Sequence, residues 1–199
     1  MLDRQGDVSQ LFNIKAKDEN IDSPILSLFF LNPNLLIVGT KNKGLLVFDV
    51  ETQKMRTDIV SENLKKTIGN AVIYDIKKDS KDNLYISVFG LGLLKYNLKS
   101  KILQTFTRPF LATNIIKSIH IDEDDNIVLG GLGGVTICQL IDEKNTAKNY
   151  LKGSRFLKHN ISVVYKDSNK KTWAGTTTRG LYKYNGEVFK KVLFPKKNR

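Results

Sequence analysis

The sequence predicts an all-β chain of repeated four-stranded units, the blades of a β-propeller, and three observations carry that prediction. First, a phrase of strand, glycine loop and strand occurs four times: Ile37-Val38-Gly39-Thr40 to Gly44-Leu45-Leu46-Val47-Phe48-Asp49, Tyr85-Ile86-Ser87-Val88 to Gly92-Leu93-Leu94-Lys95-Tyr96-Asn97, Val128-Leu129-Gly130-Gly131 to Gly134-Val135-Thr136-Ile137-Cys138-Gln139, and Trp173-Ala174-Gly175-Thr176 to Gly180-Leu181-Tyr182-Lys183-Tyr184-Asn185. Second, the spacing holds inside strands and changes only at loops, as a structural repeat requires. Gly39 to Ser87 and Gly44 to Gly92 are both 48 residues, Asp79 to Asp122 and Ser87 to Gly130 both 43, and Asp122 to Asp167 and Gly130 to Gly175 both 45. Third, no segment of helical length repeats its apolar residues every 3.6 positions, which excludes helix-pair repeats of similar period.

Taken in order, residues 1–20 read as the remnant of a preceding blade, with a turn at Gly6-Asp7 and a strand over Val8 to Ile14. Blade 1 is expected over 21–64, blade 2 over 65–109, blade 3 over 110–155 and blade 4 over 156–199, all in one propeller domain. Each blade opens on an apolar strand carrying Ile25 and Leu28, Ile73 and Ile76, Ile116 and Ile119, or Ile161 and Val164. A polar turn follows, Asp79 to Asn83 in blade 2 and Asp122 to Asn126 in blade 3, with Leu31 in place of the aspartate in blade 1. Then come the strand of Ile37 or Trp173 type, the glycine loop, the strand of Leu45 to Phe48 type, another polar turn and a closing strand such as Ile102 to Phe106. Gly44, Gly92, Gly134 and Gly180 stand where a hairpin loop needs positive φ or where backbone passes closely. Four positions beyond each lies Phe48, Tyr96, Cys138 or Tyr184, expected to fill the gap between blades. Trp173 is placed in the blade interior, so that truncation costs about 3–5 kcal/mol. Four blades and a remnant do not obviously close a ring. An arc of a larger propeller is the expectation, with a distorted four-bladed ring as the alternative.

Composition narrows the function. Of 199 residues, 41% are hydrophobic and 26% charged, which is ordinary for a globular protein. No apolar run approaches the roughly 20 residues of a membrane span. The amino terminus lacks the features of a signal peptide, which fits either a cytoplasmic protein or a processed or excised piece of something longer. A net charge of +12 invites nucleic acid, but the lysines are scattered through turns and strand surfaces, so nucleic-acid binding is disfavoured. One cysteine, Cys138, excludes an intrachain disulfide and a cysteine metal site and reads as core. His120 reads as a strand histidine, His159 as a loop histidine where binding is conceivable. The run Asp122 to Asn126 lacks the glycine and distal glutamate of a calcium loop, and Gly130 to Gly134 has no helix after it to cradle phosphate. No catalytic residue, metal or cofactor is expected.

The repeat resembles the regulator-propeller repeat of hybrid two-component sensor histidine kinases. Blade 4 carries that likeness through Asn160, Ile161, Val164, Asp167, Trp173, Gly175, Thr176, Gly180, Leu181, Tyr184 and Asn185. Blade 2 keeps Ile73, Ile76, Asp79, Gly92, Leu93, Tyr96 and Asn97, with Tyr85 for the tryptophan and Ser87 for the glycine, and blades 1 and 3 depart further. The resemblance implies a periplasmic, non-catalytic sensor whose propellers precede an immunoglobulin-like domain, a membrane helix, a kinase and a response regulator, and whose ligands include oligosaccharides. Residues 1–199 contain none of those downstream parts and correspond at most to the sensing portion. Partners are then a glycan or other small ligand and, at the exposed edge, further blades or a second chain. A scaffold for protein interaction and a propeller-fold lyase are the alternatives. The lyase would need a His–Glu or metal cluster at the channel mouth. Binding residues belong on the loops where blades differ. Those are Lys41, Lys43, Phe89, Leu91, Leu132, Gly133, Thr178 and Arg179, with the connections near Asn114 and His159 on the same side.

Overall fold

The computed structural model describes residues 15–16, 19–20, 22–141, 144–150 and 160–193. The expected strand over Val8 to Ile14 and His159 lie outside the described residues. A short pair, β1 (Lys15–Ala16) with β2 (Glu19–Asn20), precedes four antiparallel sheets of four strands each. Sheet 1 holds β3 (Ile25–Asn32), β4 (Leu35–Thr40), β5 (Leu45–Asp49) and β6 (Lys54–Met55). After the helix α1 (Glu62–Ile68), sheet 2 holds β7 (Ile73–Lys78), β8 (Asn83–Val88), β9 (Gly92–Asn97) and β10 (Leu103–Phe106). Sheet 3 holds β11 (Ile116–Ile121), β12 (Ile127–Gly131), β13 (Gly134–Gln139) and β14 (Thr146–Asn149), and sheet 4 holds β15 (Ile161–Lys166), β16 (Thr172–Thr176), β17 (Gly180–Tyr184) and β18 (Phe189–Lys191). Strand order follows chain order in every sheet, and the first strands β3, β7, β11 and β15 are successive neighbours. These are propeller blades.

The first strand of every blade carries an irregularity of register after its first pair, at Ile25/Ser27, Ile73/Asp75, Ile116/Ser118 and Ile161/Val163. The extra residue re-aims the side chain that follows. Asp75 thereby accepts the backbone N–H of Ile119 in the next blade at 2.7 Å, and Ser118 accepts that of Val164 at 3.1 Å. Blade 4 has Val163 at this position and has no acceptor to offer.

Apolar packing lies in the seams between sheets, because one sheet cannot cover its own faces. Ile37 and Val47 pack with Ile73, Ile76 and Tyr96 in the seam of blades 1 and 2. Tyr85 packs with Ile116, Ile119 and Leu129 in the next seam, and Val128 with Ile161, Val164 and Ala174 in the third. The outer sides of the arc are different. Ile76, Ile119 and Val164 are 0–4% exposed, whereas Leu28 at the equivalent position is 56% exposed, as is Phe30. On the far side Val163 and Tyr165 are 53% and 55% exposed. Trp173 is accordingly half-buried rather than interior: among the described residues no further sheet lies over it. Its indole donates to Asp167 at 2.7 Å, and Lys183 sits 5.0 Å from its ring centre.

Two further local features correct the sequence expectations. The connection into blade 2 contains α1, so the boundary placed between residues 64 and 65 falls within a helix. Ser61 caps it by accepting the N–H of Leu64, and Leu64 and Ile68, one turn apart, insert into the first seam. Two buried residues are too few to register as helical periodicity. In blade 1 the turn aspartate is replaced in function by Asn32, not lost at Leu31: its side chain accepts the N–H groups of Asn34 and Leu35. A second register irregularity between Phe30 and Asn32 moves the position by one.

Two of the glycines expected at the hairpin loops, Gly44 and Gly92, stand where backbone passes closely. A Cβ on Gly44 would lie 2.0 Å from the carbonyl oxygen of Gly69, and one on Gly92 2.3 Å from that of Phe106, and both residues have positive φ. Phe48, Tyr96 and Cys138 are buried as expected, and Tyr184 is half-buried against Tyr150 and Phe189. Burial pushes the Cys138 thiol up to about 12, consistent with a core residue.

Candidate functional site

Every blade presents two kinds of end. The turns between its first and second strands, and between its third and fourth, lie on what we call the turn face. The loops between second and third strands lie on the opposite loop face, together with the connections that enter each blade. The pairing is direct: Lys41 N–H donates to Pro24 O, Phe89 to Val72, Leu132 to Ile115 and Thr177 to Asn160, at 2.9–3.0 Å.

On the loop face, blades 1 and 4 fold their loops by the same device. Thr40 accepts the N–H of Lys43 at 2.9 Å and donates to Gly44 O at 2.9 Å. Thr176 likewise accepts from Arg179 at 2.9 Å and donates to Gly180 O at 2.8 Å. Lys43 and Arg179 therefore occupy the same position on their blades, one residue before the glycine. Both are exposed, as are Lys41 and Thr178. Among the described residues, no hydrogen bond or ion pair engages the side-chain cations of Lys41, Lys43 or Arg179.

Blade 2 offers an aromatic surface instead. Phe89 is 48% exposed and meets Tyr74 edge-on at 6.4 Å, and Lys117 of the next blade lies 5.8 Å from the Tyr74 ring centre. Tyr74 and Lys117 were not legible as site residues, since they sit in first strands and not in loops. Leu91 is half-buried against the first seam and serves packing. Among the described residues no side-chain hydrogen bond, ion pair or ring contact joins Lys41, Lys43, Phe89, Thr178 and Arg179 to one another.

The turn face carries carboxylates, for a local reason. Its turns are held by carboxylates and amides that accept backbone N–H groups: Asp79 from Lys81 and Asn83, Asp122 from Asp124 and Asn126, Asp167 from Asn169 and Lys171, Asp49 from Glu51 and Thr52. Asp167 is held below the usual carboxylate range, first by the Trp173 indole and then by these amides. Turn-capping thus draws acidic residues to this face, where Lys78, Lys99, Lys166 and Lys170 pair with them.

Two clefts open on the turn face. One of about 350 Å³, between blades 2 and 3, is lined by Asp79, Asn83, Tyr85, Lys95, Gln104 and Leu140 among others. A second of about 270 Å³, between blades 3 and 4, gathers His120, Tyr165, Asp122, Glu123 and Lys166. His120 packs edge-on against Tyr165 at 5.0 Å, and burial pushes its pKa down, favouring the neutral imidazole. Lys166 pairs with Asp122 across the seam. Among the described residues His120 makes no hydrogen bond to a carboxylate, and no group of three or more metal-ligating side chains is arranged to hold an ion. Asp122 to Asn126 forms a polar hairpin turn, and Gly130 to Gly134 joins two strands.

Fold and seams together define a β-propeller built from one repeat. The comparisons with known proteins find the same repeat-built fold and one related sequence. Over 166 residues the chain is 31% identical to histidine kinase P4 of Formosa agariphila, a match spanning 79% of this chain and 12% of that protein. Two extracellular domains of proteins described as hybrid two-component systems of B. thetaiotaomicron share the fold: one with a TM-score of 0.69 at 17% identity over 91% of this chain and 24% of that one, the other with 0.66 at 19% over 87% and 25%. The computationally designed protein Ika4 aligns with a TM-score of 0.56 at 11% identity over 82% of this chain and 91% of its own. No protein-family model matches. The chain spans 12% of that kinase and about a quarter of each of those extracellular domains. No helix of the described residues is long and apolar enough to cross a membrane.

Proposed function

We propose that this chain is the ligand-sensing portion of a periplasmic receptor region in a hybrid two-component regulator, without catalysis of its own, and that its ligand is an acidic oligosaccharide met on the loop face. One observation carries the reading: Lys43 and Arg179 are presented by the same threonine device, with no ion pair among the described residues, on the face from which turn-capping has drawn the carboxylates. Guanidinium and ammonium groups suit uronate or sulfate oxygens, and Phe89 offers a ring to the apolar side of a sugar. Ligand would act by favouring one packing of the propeller against neighbouring units. Isothermal titration with uronate-containing and sulfated oligosaccharides tests it. Arg179→Ala with Lys43→Ala should weaken binding about tenfold or more, and Phe89→Ala should weaken it further. Unchanged affinity in the combined variant removes the proposal.

The uncovered side strands favour a second role as an interaction scaffold. Leu28, Phe30, Val163 and Tyr165 are positions that a neighbouring blade would cover. A closed, monomeric particle in sedimentation experiments counts against it.

A further inference from the structure

Equivalent residues of each blade form a cross-strand row that faces the next blade. The row reads Phe29, Ile37, Val47 in blade 1, Lys77, Tyr85, Lys95 in blade 2 and His120, Val128, Ile137 in blade 3. At the first position the seam of blades 1 and 2 closes over a phenylalanine ring, and the seam of blades 3 and 4 has a titratable ring instead. His120 meets Tyr165 of blade 4 edge-on at 5.0 Å beside the cleft of about 270 Å³, and among the described residues it makes no hydrogen bond. The bonds that hold this seam lie close by. Ser118 accepts the N–H of Val164 at 3.1 Å, Lys166 pairs with Asp122, and Lys170 pairs with Asp124 at 3.3 Å. Among the described residues blade 4 has this seam and no other, and on its far side Val163 is 53% exposed.

We infer that the seam of blades 3 and 4 is a proton-sensitive joint, in which a proton taken up by His120 loosens blade 4 while the other seams hold. The surroundings favour the neutral ring. Burial opposes a positive charge there most strongly, and Lys166 from β15 and Lys77 from β7 oppose it further. Asp122, directly after β11, is the carboxylate that favours it. Its charge is already engaged by the Lys166 ammonium and by the Asn126 amide at 2.9 Å. At the rim of the cleft Lys170 pairs with Asp124, and Asp167 accepts from the Trp173 indole and from backbone amides. Glu123 is exposed, so water and salt screen it. From β12 the residue opposite His120 is the apolar Val128. A base whose folded pKa lies below its unfolded value adds stability that is present above the unfolded pKa, about 6.5 for histidine, and is lost as pH falls through it. Blade 4 carries the Arg179 loop, so the joint links proton concentration to how that loop is presented. The joint itself does not depend on what the loop binds.

NMR on the full chain tests it, by imidazole titration and by hydrogen exchange expressed as protection factors between about pH 7.5 and about pH 5. Two amides report on single seams: Val164 donates to Ser118 across the seam of blades 3 and 4, and Ile119 donates to Asp75 across that of blades 2 and 3. His120 is expected to titrate below an unfolded histidine, and protection of Val164 should fall about threefold or more on acidification while that of Ile119 holds. His120→Phe should abolish the fall. That variant is expected to fold, because Phe29 fills the same row position against blade 2. His159→Gln should leave the fall in place, and Lys166→Gln should raise the His120 pKa by removing a cation and freeing Asp122. A His120 titration at or above that of an unfolded histidine overturns the inference. So does a loss of protection shared equally by Val164 and Ile119, or one that persists in the phenylalanine variant.

Discussion

Replacing Asp75 by alanine tests how the blades are held together. One carboxylate oxygen of Asp75 accepts the N–H of Ile119 in the next blade at 2.7 Å, and the other accepts the N–H of Ile76 at 2.9 Å and an ammonium proton of Lys77 at 2.8 Å. Ile119 is 2% exposed, so water cannot replace the lost acceptor. Leaving that donor unsatisfied costs about 1–3 kcal/mol, and the Ile76 bond adds about 1 kcal/mol. The Lys77 pair is half exposed and adds less than about 1 kcal/mol. The sum is about 2–4 kcal/mol, or roughly 4–16 °C in Tm for a chain of this size. Serine should recover much of it, because Ser118 makes the same bond to Val164 in the following seam. Urea unfolding followed by circular dichroism measures the difference. A loss below about 0.5 kcal/mol for alanine, or a serine variant no better than alanine, refutes the claim that a side-chain acceptor joins successive blades.

Two further outcomes follow from burial and charge. Ile76→Ala should cost about 2–5 kcal/mol, whereas Leu28→Ala, at the same position in an uncovered blade, should cost no more than about 0.5 kcal/mol in the same urea assay. Hydrogen bonds from Lys78 and Lys99 bring the pKa of Asp82 down to about 2, and Arg56 does the same for Asp58. A folded pKa below the unfolded one means stability present above about pH 4 and lost as pH falls toward 2. Asp82→Asn should flatten that part of the stability–pH curve, and an unaltered slope would show the pair to be inconsequential.

Much of the fold was legible in the chain because each blade repeats the same local chemistry. Hairpin strands show an apolar pattern, Asp or Asn marks each turn by accepting its amides, and glycine marks each tight loop, so offsets between copies recover the strands. Asn32 escaped that reading because a backbone irregularity shifted it by one, and α1 escaped because two buried residues carry no period. The loop residues Lys43 and Arg179 were readable as variable loop positions. That threonines place them alike, and that they lack ion partners among the described residues, was not.

What the sequence by itself determined is therefore the blade: strand, turn and loop are set by neighbours within a few residues. Only the tertiary structure decided what each blade face meets, since that depends on the sheet next to it. The same apolar position is sealed at Ile76 and open at Leu28, and the same row holds an aliphatic pair in one seam and a polar cleft in another. Sequence position fixes which way a side chain points, and the adjoining sheet fixes whether it meets water, a partner or a cavity.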